Sequence, residues 1–446
     1  MKALLAENGI PLLVESDDFL PIVDVVIGLP LGSAWDPPGL EGLTALSVHM
    51  LRRGTSAYKP PKGPPLPALS SQEFEASIER LGASIEVELQ RTSVRIHASV
   101  IRPNLAPLFS LLGAMLEAPA LGAQEFLRLR NQTMAHLESE LDDDAFLGTL
   151  AWQKHLFRDH PFARPSYGTL SSLAQMRVDQ LRAFFEEWIK ASPMIVGFGG
   201  AISPEEAVEL IEANFGVRKS KNRPFVLSEP PPPKGIQVAI VHQAQREQSQ
   251  LFVTALGAKL GAPSFYPLVV ANAAFGGMYT SRLVRHVREL KGWSYSAMSH
   301  LYADRVRDAW VIHTHPPLSV LGKCIKLELD LIQEFWSDGI KEDELDGAKR
   351  HLIHSHAFRR ESAFQRLSPY LEAWLHELPG DALSQPSEEI ARLTLQDVNQ
   401  AIQSAWAFGH DLCVVISMSG PAPRLEKEAQ RLSGALTIYE PRTLIR

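Results

Sequence analysis

Residues 42–55 read GLTALSVHMLRRGT, and the fold and function assigned to the chain depend on this segment. Its one histidine is His49, which follows Ala45 and Val48. A methyl or isopropyl group has no lone pair to give to a metal, and neither group can take a proton from water. Catalytic zinc needs three protein ligands and one open position for water. The segment therefore offers one possible ligand and no general base.

The segment resembles the metal-binding helix of pitrilysin-like zinc metallopeptidases, which carries the inverted motif H-x-x-E-H. Gly42, His49 and Gly54 match the family pattern, whereas Ala45 replaces its first histidine and Val48 its glutamate. The resemblance implies the non-zinc-binding subunit of the bacterial heterodimeric type, similar to subunits of the mitochondrial processing peptidase. No metal is expected in this chain.

The family's third zinc ligand is a glutamate on a later helix. The matching region is 131–144, NQTMAHLESELDDD. The best alignment places His136 at the ligand position, with Glu138 or Glu140 as alternatives if the register slips. The resemblance therefore leaves this position open.

The composition is typical of an ordinary globular protein. The chain has 446 residues, a formal net charge of −7 and two cysteines. This charge argues against a nucleic-acid or anionic-membrane partner. No run of apolar residues is long enough for a membrane span, and no leader is visible. Two distant thiols make no disulfide framework, so a cytoplasmic location is expected, or a periplasmic one if a leader was removed.

The chain divides near its middle, at a segment with four consecutive prolines, 230–233. We predict an N-terminal α+β half over 1–219, an extended linker over 220–235 and a C-terminal α+β half over 236–446. Residues 173–188 and 391–406 both read as an amphipathic helix that ends at a tryptophan and precedes an apolar strand. The resemblance implies two such homologous halves, each a sheet with helices stacked on one face.

Residues 57–70, AYKPPKGPPLPALS, contain five prolines directly after the degenerate motif. This composition predicts a polyproline-like loop. Three interpretations remain open: a tolerated surface insertion, a cover over the degenerate site or a contact with a partner.

Residues 275–300 read FGGMYTSRLVRHVRELKGWSYSAMSH. The spacing predicts a helix over 278–291 that ends at Gly292, followed by a strand over 293–300. In the family an arginine and a tyrosine seven residues apart lie at this junction, and here they are Arg288 and Tyr295. The resemblance implies that this pair binds the substrate backbone and stabilises the oxyanion at zinc held by another half.

Other histidines are weaker candidates for a metal site. His313 and His315 alternate on one predicted strand face, while 351–356 (HLIHSH) reads as a helix without a suitably placed carboxylate. His155 and His160 lie in a region whose counterpart packs a helix end in the family. No sequence context for a serine or cysteine nucleophile is present.

The resemblance therefore implies a subunit that is inactive alone and supplies Arg288 and Tyr295 to a zinc-bearing homologous peptidase subunit. Peptides would be the substrates, zinc would be held by the partner, and a homodimer is the expected form without it. The alternative is a non-catalytic scaffold or peptide-binding protein of the same fold, in which the pair is a relic.

Overall fold

The computed structural model describes residues 1–217, 226–358, 360–405, 413–432 and 434–446. Within the predicted linker, residues 220–225 lie outside the described residues, and 226–235 contain no helix or strand. Trp406, the end of the second predicted helix-and-strand repeat, also lies outside them.

The described strands are β1 (Lys2–Leu5), β2 (Pro11–Ser16), β3 (Ile22–Leu29), β4 (Ser84–Leu89), β5 (Val94–Ile101), β6 (Ile195–Gly200), β7 (Gln237–His242), β8 (Leu251–Leu256), β9 (Ala258–Lys259), β10 (Ala297–Leu301), β11 (Ala303–Asp304), β12 (Ala309–Thr314), β13 (Val415–Gly420) and β14 (Ala435–Tyr439).

The described α-helices are α1 (Leu43–Met50), α2 (Ser71–Arg80), α3 (Leu105–Glu117), α4 (Ala123–Ser139), α5 (Asp144–Phe157), α6 (Leu170–Gln175), α7 (Val178–Phe184), α8 (Pro204–Asn214), α9 (Phe265–Asn272), α10 (Leu321–Asp338), α11 (Glu342–Phe358), α12 (Ala363–Leu375), α13 (Pro386–Arg392), α14 (Leu395–Ala405), α15 (Ala422–Gln430) and α16 (Pro441–Leu444). None of these helices is long and apolar enough to cross a membrane.

The chain forms two compact units, and each draws on separated segments of sequence. Unit 1 contains Met1–His136, Pro165–Phe225 and Phe358–Ser384. Unit 2 contains Leu137–Arg164, Val226–Ala357 and Gln385–Arg446. Helix α5 therefore belongs to unit 2 and α12 to unit 1, although each lies in the other half of the sequence. The predicted halves over 1–219 and 236–446 follow the order of the sequence, and their boundaries remain a prediction.

Each unit has a six-stranded sheet, with the order β1-β2-β6-β3-β5-β4 in unit 1 and β10-β12-β8-β13-β7-β14 in unit 2. Strands β2 and β6 are parallel, as are β7 and β13, and in both sheets the next strands run antiparallel. The prediction of two similar α+β halves is thus confirmed. The sheets differ at one edge, because β1 forms a hairpin with β2 whereas β14 runs parallel to β7.

The sheet of unit 1 is covered on two faces, and the helix on the second face, α12, comes from the other half of the sequence. On β6, Phe198 stacks on Phe109 of α3 with ring centroids 5.2 Å apart. The neighbouring residue Gly197 faces the other side, where a Cβ atom would lie 2.8 Å from Leu367 of α12. Glycine at this position therefore lets α12 pack closely on the strand.

Unit 2 repeats this arrangement with α5. The hydroxyl of Ser417 on β13 donates to the carbonyl of Gly148 at 3.0 Å. A Cβ atom on Gly148 would lie 2.7 Å from the ring of Phe252 on β8. The next strand residues, Ile416 and Met418, enter the larger apolar core on the opposite face.

Candidate functional site

The degenerate motif lies on α1 of unit 1, and a buried carboxylate fixes the start of that helix. Asp36 accepts from the backbone N–H groups of Gly42 and Thr44, each at 2.8 Å, and from the Thr44 hydroxyl at 2.6 Å. A carboxylate at a helix N-terminus satisfies free donors and complements the helix dipole. Gly42 has a φ of 91°, which favours glycine. The residues before the motif therefore set the direction of α1.

The motif positions of α1 are core positions. Ala45 is 3% exposed and Val48 is completely buried. His49 is half-buried, its Nδ1 lies 2.8 Å from the Ala45 carbonyl oxygen, and its ring packs edge-on against Tyr167 at 6.2 Å. Apolar packing thus occupies the two positions where the family pattern has a ligand and a base.

The candidates for a third ligand do not complete a metal site. His136 and Glu138 lie on α4, and Glu140 follows in a short 3-10 turn. Within the described parts of the chain, no three His, Cys, Asp or Glu side chains lie close enough together to hold a metal ion. Two apolar side chains and one histidine on α1 do not fit catalytic zinc, so no chemical step is assigned to a metal on this chain.

The proline-rich segment 57–70 contacts the C-terminal end of α8 in unit 1. The hydroxyl of Tyr58 donates to the Asn214 carbonyl at 2.8 Å, and Lys62 pairs with Glu212 at 2.9 Å. Tyr58 also forms an isolated antiparallel bridge with Leu66. The segment is therefore anchored to its own unit by specific contacts.

His155, His313 and His315 have partners within the protein. His313 and His315 do face the same side, with ring centroids 4.3 Å apart. Burial, followed by the nearby charges of His315 and His300, lowers the pKa of His313 to about 3, and its Nε2 lies 2.8 Å from Gln250 Oε1. His155 contacts the Tyr439 hydroxyl at 3.0 Å. These interactions explain their positions without a metal.

The segment that carries Arg288 is a π-helix in unit 2. It spans Val284–Leu290, where an α-helix was predicted. Val287 is completely buried as expected, but Leu290 is 63% exposed because the wider turn moves it off the apolar face. Gly292 ends the segment with a φ of 63°, as predicted.

Tyr295 lies in a loop, because the following strand β10 starts at Ala297 instead of residue 293. The buried hydroxyl of Ser294 donates to the Ser296 carbonyl and accepts from the backbone N–H of His315 at 2.8 Å. This short turn directs Tyr295 outward, and the residue is 88% exposed.

Arg288 contacts two exposed aromatic rings. Its guanidinium carbon lies 5.1 Å from the ring centroid of Tyr295 and 5.6 Å from that of Tyr279. Both distances are within the range of a cation–π interaction. Among the described residues, the guanidinium has no carboxylate or hydrogen-bond partner. The structure therefore brings the predicted pair together in unit 2 and leaves the arginine donors free for a ligand.

Tyr279 is a member of this cluster that the sequence reasoning missed. It lies nine residues before Arg288, which is no helical repeat, and it precedes the π-helix. An aromatic side chain two residues after the Gly276-Gly277 pair was the one available signal.

A buried ion pair holds the start of the Arg288 segment. Arg282 donates from Nε and Nη2 to the two oxygens of Glu344, at 3.0 and 2.7 Å. Its Nη2 also donates to the Gly339 carbonyl at 3.0 Å. Arg282 is 8% exposed, so its role is to anchor the segment to α11.

Residues 175–352 match a family model described as the Peptidase M16 inactive domain. A Bacillus subtilis protein called uncharacterized zinc protease YmxG is 22% identical over 425 residues, which cover 95% of this chain and 100% of that protein. The Helicobacter pylori protein called non-peptidase homolog YmxG is 21% identical over 406 residues, 89% of each chain.

Solved structures share the fold. A peptidase M16 inactive domain from Pseudomonas fluorescens superposes with a TM-score of 0.84 at 22% identity, covering 94% of this chain and 98% of that chain. A chain of Complex III2 from Candida albicans gives a TM-score of 0.76 at 15% identity, covering 98% and 100%. The predicted fold class is confirmed by these similarities.

Proposed function

We propose that this chain, which is similar to proteins of the inactive peptidase M16 type, is the non-zinc-binding subunit of a heterodimeric metallopeptidase. A homologous subunit would hold the zinc, and this chain would supply Arg288 and Tyr295 to the reaction. Peptides are the proposed substrates.

The observation that carries the proposal is the state of the Arg288 guanidinium. An arginine kept for structure normally donates to carboxylates or carbonyls, as Arg282 does just before the same π-helix. Arg288 contacts only the faces of Tyr279 and Tyr295 through its guanidinium, within the part of the chain that the structure describes. Its N–H groups thus remain free for an acceptor that comes from outside this chain.

The chemistry of the pair suits an oxyanion. The Arg288 guanidinium presents planar N–H donors. The Tyr295 hydroxyl is a neutral donor on a ring that is 88% exposed. When a peptide carbonyl oxygen becomes an anion, such fixed donors stabilise the transition state more than the ground state. Zinc in the partner would activate the attacking water.

The test is peptide turnover by this chain when it is purified together with a zinc-bearing homologue. We expect Tyr295→Phe and Arg288→Met each to lower kcat by about a hundredfold to a thousandfold, as loss of one oxyanion donor does. Zinc content and elution volume should stay at the parent values, because both side chains are exposed or half-buried.

Two matched variants control for nonspecific loss. Arg285→Met removes an exposed cation three residues earlier on the same segment, and Tyr302→Phe removes a hydroxyl on the same unit. Both should keep turnover within about twofold, well below the loss of an oxyanion donor. If the Arg288 and Tyr295 variants behave like these controls, the pair takes no part in catalysis.

Assembly is tested separately. Light scattering of the co-purified chains should give a complex of about twice the 49.4 kDa mass of this chain. Without the partner we expect a homodimer and no peptidase activity, with or without added zinc. Two species that elute separately at micromolar concentration would contradict the heterodimer.

A non-catalytic scaffold or peptide-binding role is the second candidate. It is favoured by the description of the Helicobacter pylori relative as a non-peptidase homolog and by the similarity to a Complex III2 chain. Under this alternative the partner complex forms normally, but the turnover of the Arg288 and Tyr295 variants equals that of the parent.

A further inference from the structure

Tyr279 is an exposed aromatic residue whose position calls for an explanation. It is 80% exposed, and such a ring gains little from burial in the core. Its ring centroid lies 5.6 Å from the guanidinium carbon of Arg288. The same guanidinium lies 5.1 Å from the ring of Tyr295. One cation is therefore shared by two rings that come from opposite ends of the π-helix.

This arrangement restricts how Arg288 can move. An arginine side chain has several rotatable bonds and loses much conformational freedom when it is fixed. A cation–π contact is electrostatic and leaves the N–H edge of the planar guanidinium available to an acceptor. Carboxylate partners would fix the arginine as well, but they would occupy its donors. Aromatic contacts thus suit an arginine that must be both ordered and unoccupied.

The start of the cluster is itself well fixed. Ser281 and Arg282 are buried directly after the exposed Tyr279-Thr280 pair. The backbone N–H of Ser281 donates to the Met278 carbonyl at 3.0 Å. Tyr279 lies inside this turn, so the hydrogen bond across the turn and the buried residues after it restrain the backbone that carries its ring.

We propose that Tyr279 is a positioning residue that holds the Arg288 guanidinium beside Tyr295 with its N–H edge free for the peptide substrate. The proposal rests on the proposed function for its effect on catalysis. The contact between Tyr279 and Arg288 lies within this chain, so it can be measured without a partner or a substrate.

The first experiment tests the contact in the purified chain without a partner. Arginine is labelled with ¹⁵N, and the Nε–Hε signal of Arg288 is assigned as the one lost in Arg288→Lys. Replacing Tyr279 by leucine should shift this signal, because the ring current that acts on the guanidinium is removed. Tyr279→Phe keeps the ring and should leave the signal near its parent position. An unchanged signal in Tyr279→Leu would overturn the proposal, whatever the activity of the complex.

The second experiment measures the effect on turnover in the complex with the zinc-bearing homologue. An exposed cation–π contact corresponds to a loss of about twofold to fivefold. We expect Tyr279→Leu to lower kcat by this factor with a smaller change in KM, and Tyr279→Phe to match the parent. Phe19→Leu removes a 90% exposed ring from unit 1 and serves as the control with no expected effect.

The double variant separates the two proposals. If Tyr279 acts through Arg288, Tyr279→Leu should have no further effect in the Arg288→Met background. A full additional loss in that background, or a Tyr279→Phe variant as slow as Tyr279→Leu, would refute the positioning role and leave the function of Arg288 intact. If Arg288→Met is itself without effect, the proposed function fails, and the NMR result alone decides whether Tyr279 holds the arginine.

Discussion

A buried carboxyl group in unit 2 should make the stability of this protein depend on pH. Glu328 on α10 is completely buried, and its Oε1 accepts from the Thr314 hydroxyl at 2.7 Å and from the Cys324 thiol at 3.4 Å. Its Oε2 is buried without a hydrogen-bond partner among the described residues. Burial raises the pKa of Glu328 to about 7, and the hydrogen bonds from Thr314 and Cys324 oppose that rise.

The sign follows from proton linkage. In the unfolded chain Glu328 has a pKa of about 4.5, and below this pH its carboxyl group is protonated in both states. Its burial then does not lower the free energy of unfolding through ionisation. Between about 4.5 and 7 the unfolded chain releases this proton while the folded chain keeps it, so stability falls as pH rises. Above about pH 7 the Glu328 carboxyl group is ionised in both the folded and the unfolded chain. The loss in the free energy of unfolding then levels off at about 3 kcal/mol, because a pKa difference of about 2.5 corresponds to that energy at about 1.36 kcal/mol for each step of one in pKa.

Glu328→Gln should remove this dependence. Glutamine keeps the carbonyl acceptor for Thr314 and is never ionised, so its stability should equal the parent near pH 4.5. At pH 8 the variant should be more stable by about 3 kcal/mol. The assay is urea unfolding of parent and variant at half-unit steps from pH 4.5 to 8, compared as a difference at each pH.

Asp330→Asn is the matched control, because Asp330 lies on the same helix with its side chain 61% exposed in a pair with Lys326. Its effect should stay within about 0.5 kcal/mol at every pH. A Glu328→Gln difference that does not change between pH 5 and 8 would refute the account of the buried carboxyl group.

Elemental analysis of the purified chain after dialysis should find no stoichiometric zinc, and one zinc per chain would contradict the loss of the metal site. Cys324 is completely buried and burial raises the pKa of its thiol, so it should resist alkylation in the native protein and react only after unfolding. Rapid labelling of Cys324 under native conditions would be the contrary result. Arg282→Met should destabilise the fold by about 3 kcal/mol, because it leaves a bonded carboxylate without its partner; an unchanged urea midpoint would show that the pair is not an anchor. Gly197→Ala should lower stability by about 1–3 kcal/mol through a clash with Leu367, whereas Gly216→Ala, where a Cβ atom has no neighbour within 4 Å, serves as its control. Equal effects of the two alanine variants would contradict the close packing of α12.

The local signals in the sequence predicted much of the structure because their causes are local. Gly292 ends the Arg288 segment in the left-handed conformation, as predicted. The apolar strands that follow the two predicted helices, β6 and β13, hold equivalent positions in two similar sheets, whereas the first predicted helix is divided into α6 and α7. Turn residues and apolar periodicity act within a few residues, so they can be interpreted from one sequence.

Other features depend on distant contacts and were not predictable. The wider turn of the π-helix at Val284–Leu290 leaves Leu290 exposed, although its spacing fits an α-helical apolar face. Tyr295 was placed on a strand, but the buried Ser294 hydroxyl bonds to the backbone of His315 and directs the ring to solvent. His315 is distant from Tyr295 in sequence, so the alternation of residues 293–300 could not show that Tyr295 lies in a loop.

The sequence by itself determined that α1 cannot form the family's zinc site, because Ala45 and Val48 have no atoms that bind a metal or take a proton. It also determined the two-sheet architecture, since each half carries its own strands and turns. The tertiary structure alone decided which helices complete each sheet. Helix α5 is part of unit 2 and α12 is part of unit 1, although most of each unit lies far from that helix in the sequence. Gly148 and Gly197 allow the two helices to pack closely on the sheets. It alone also brought Tyr279 to Arg288, because a spacing of nine residues is no helical repeat and leaves no periodic signal in the chain.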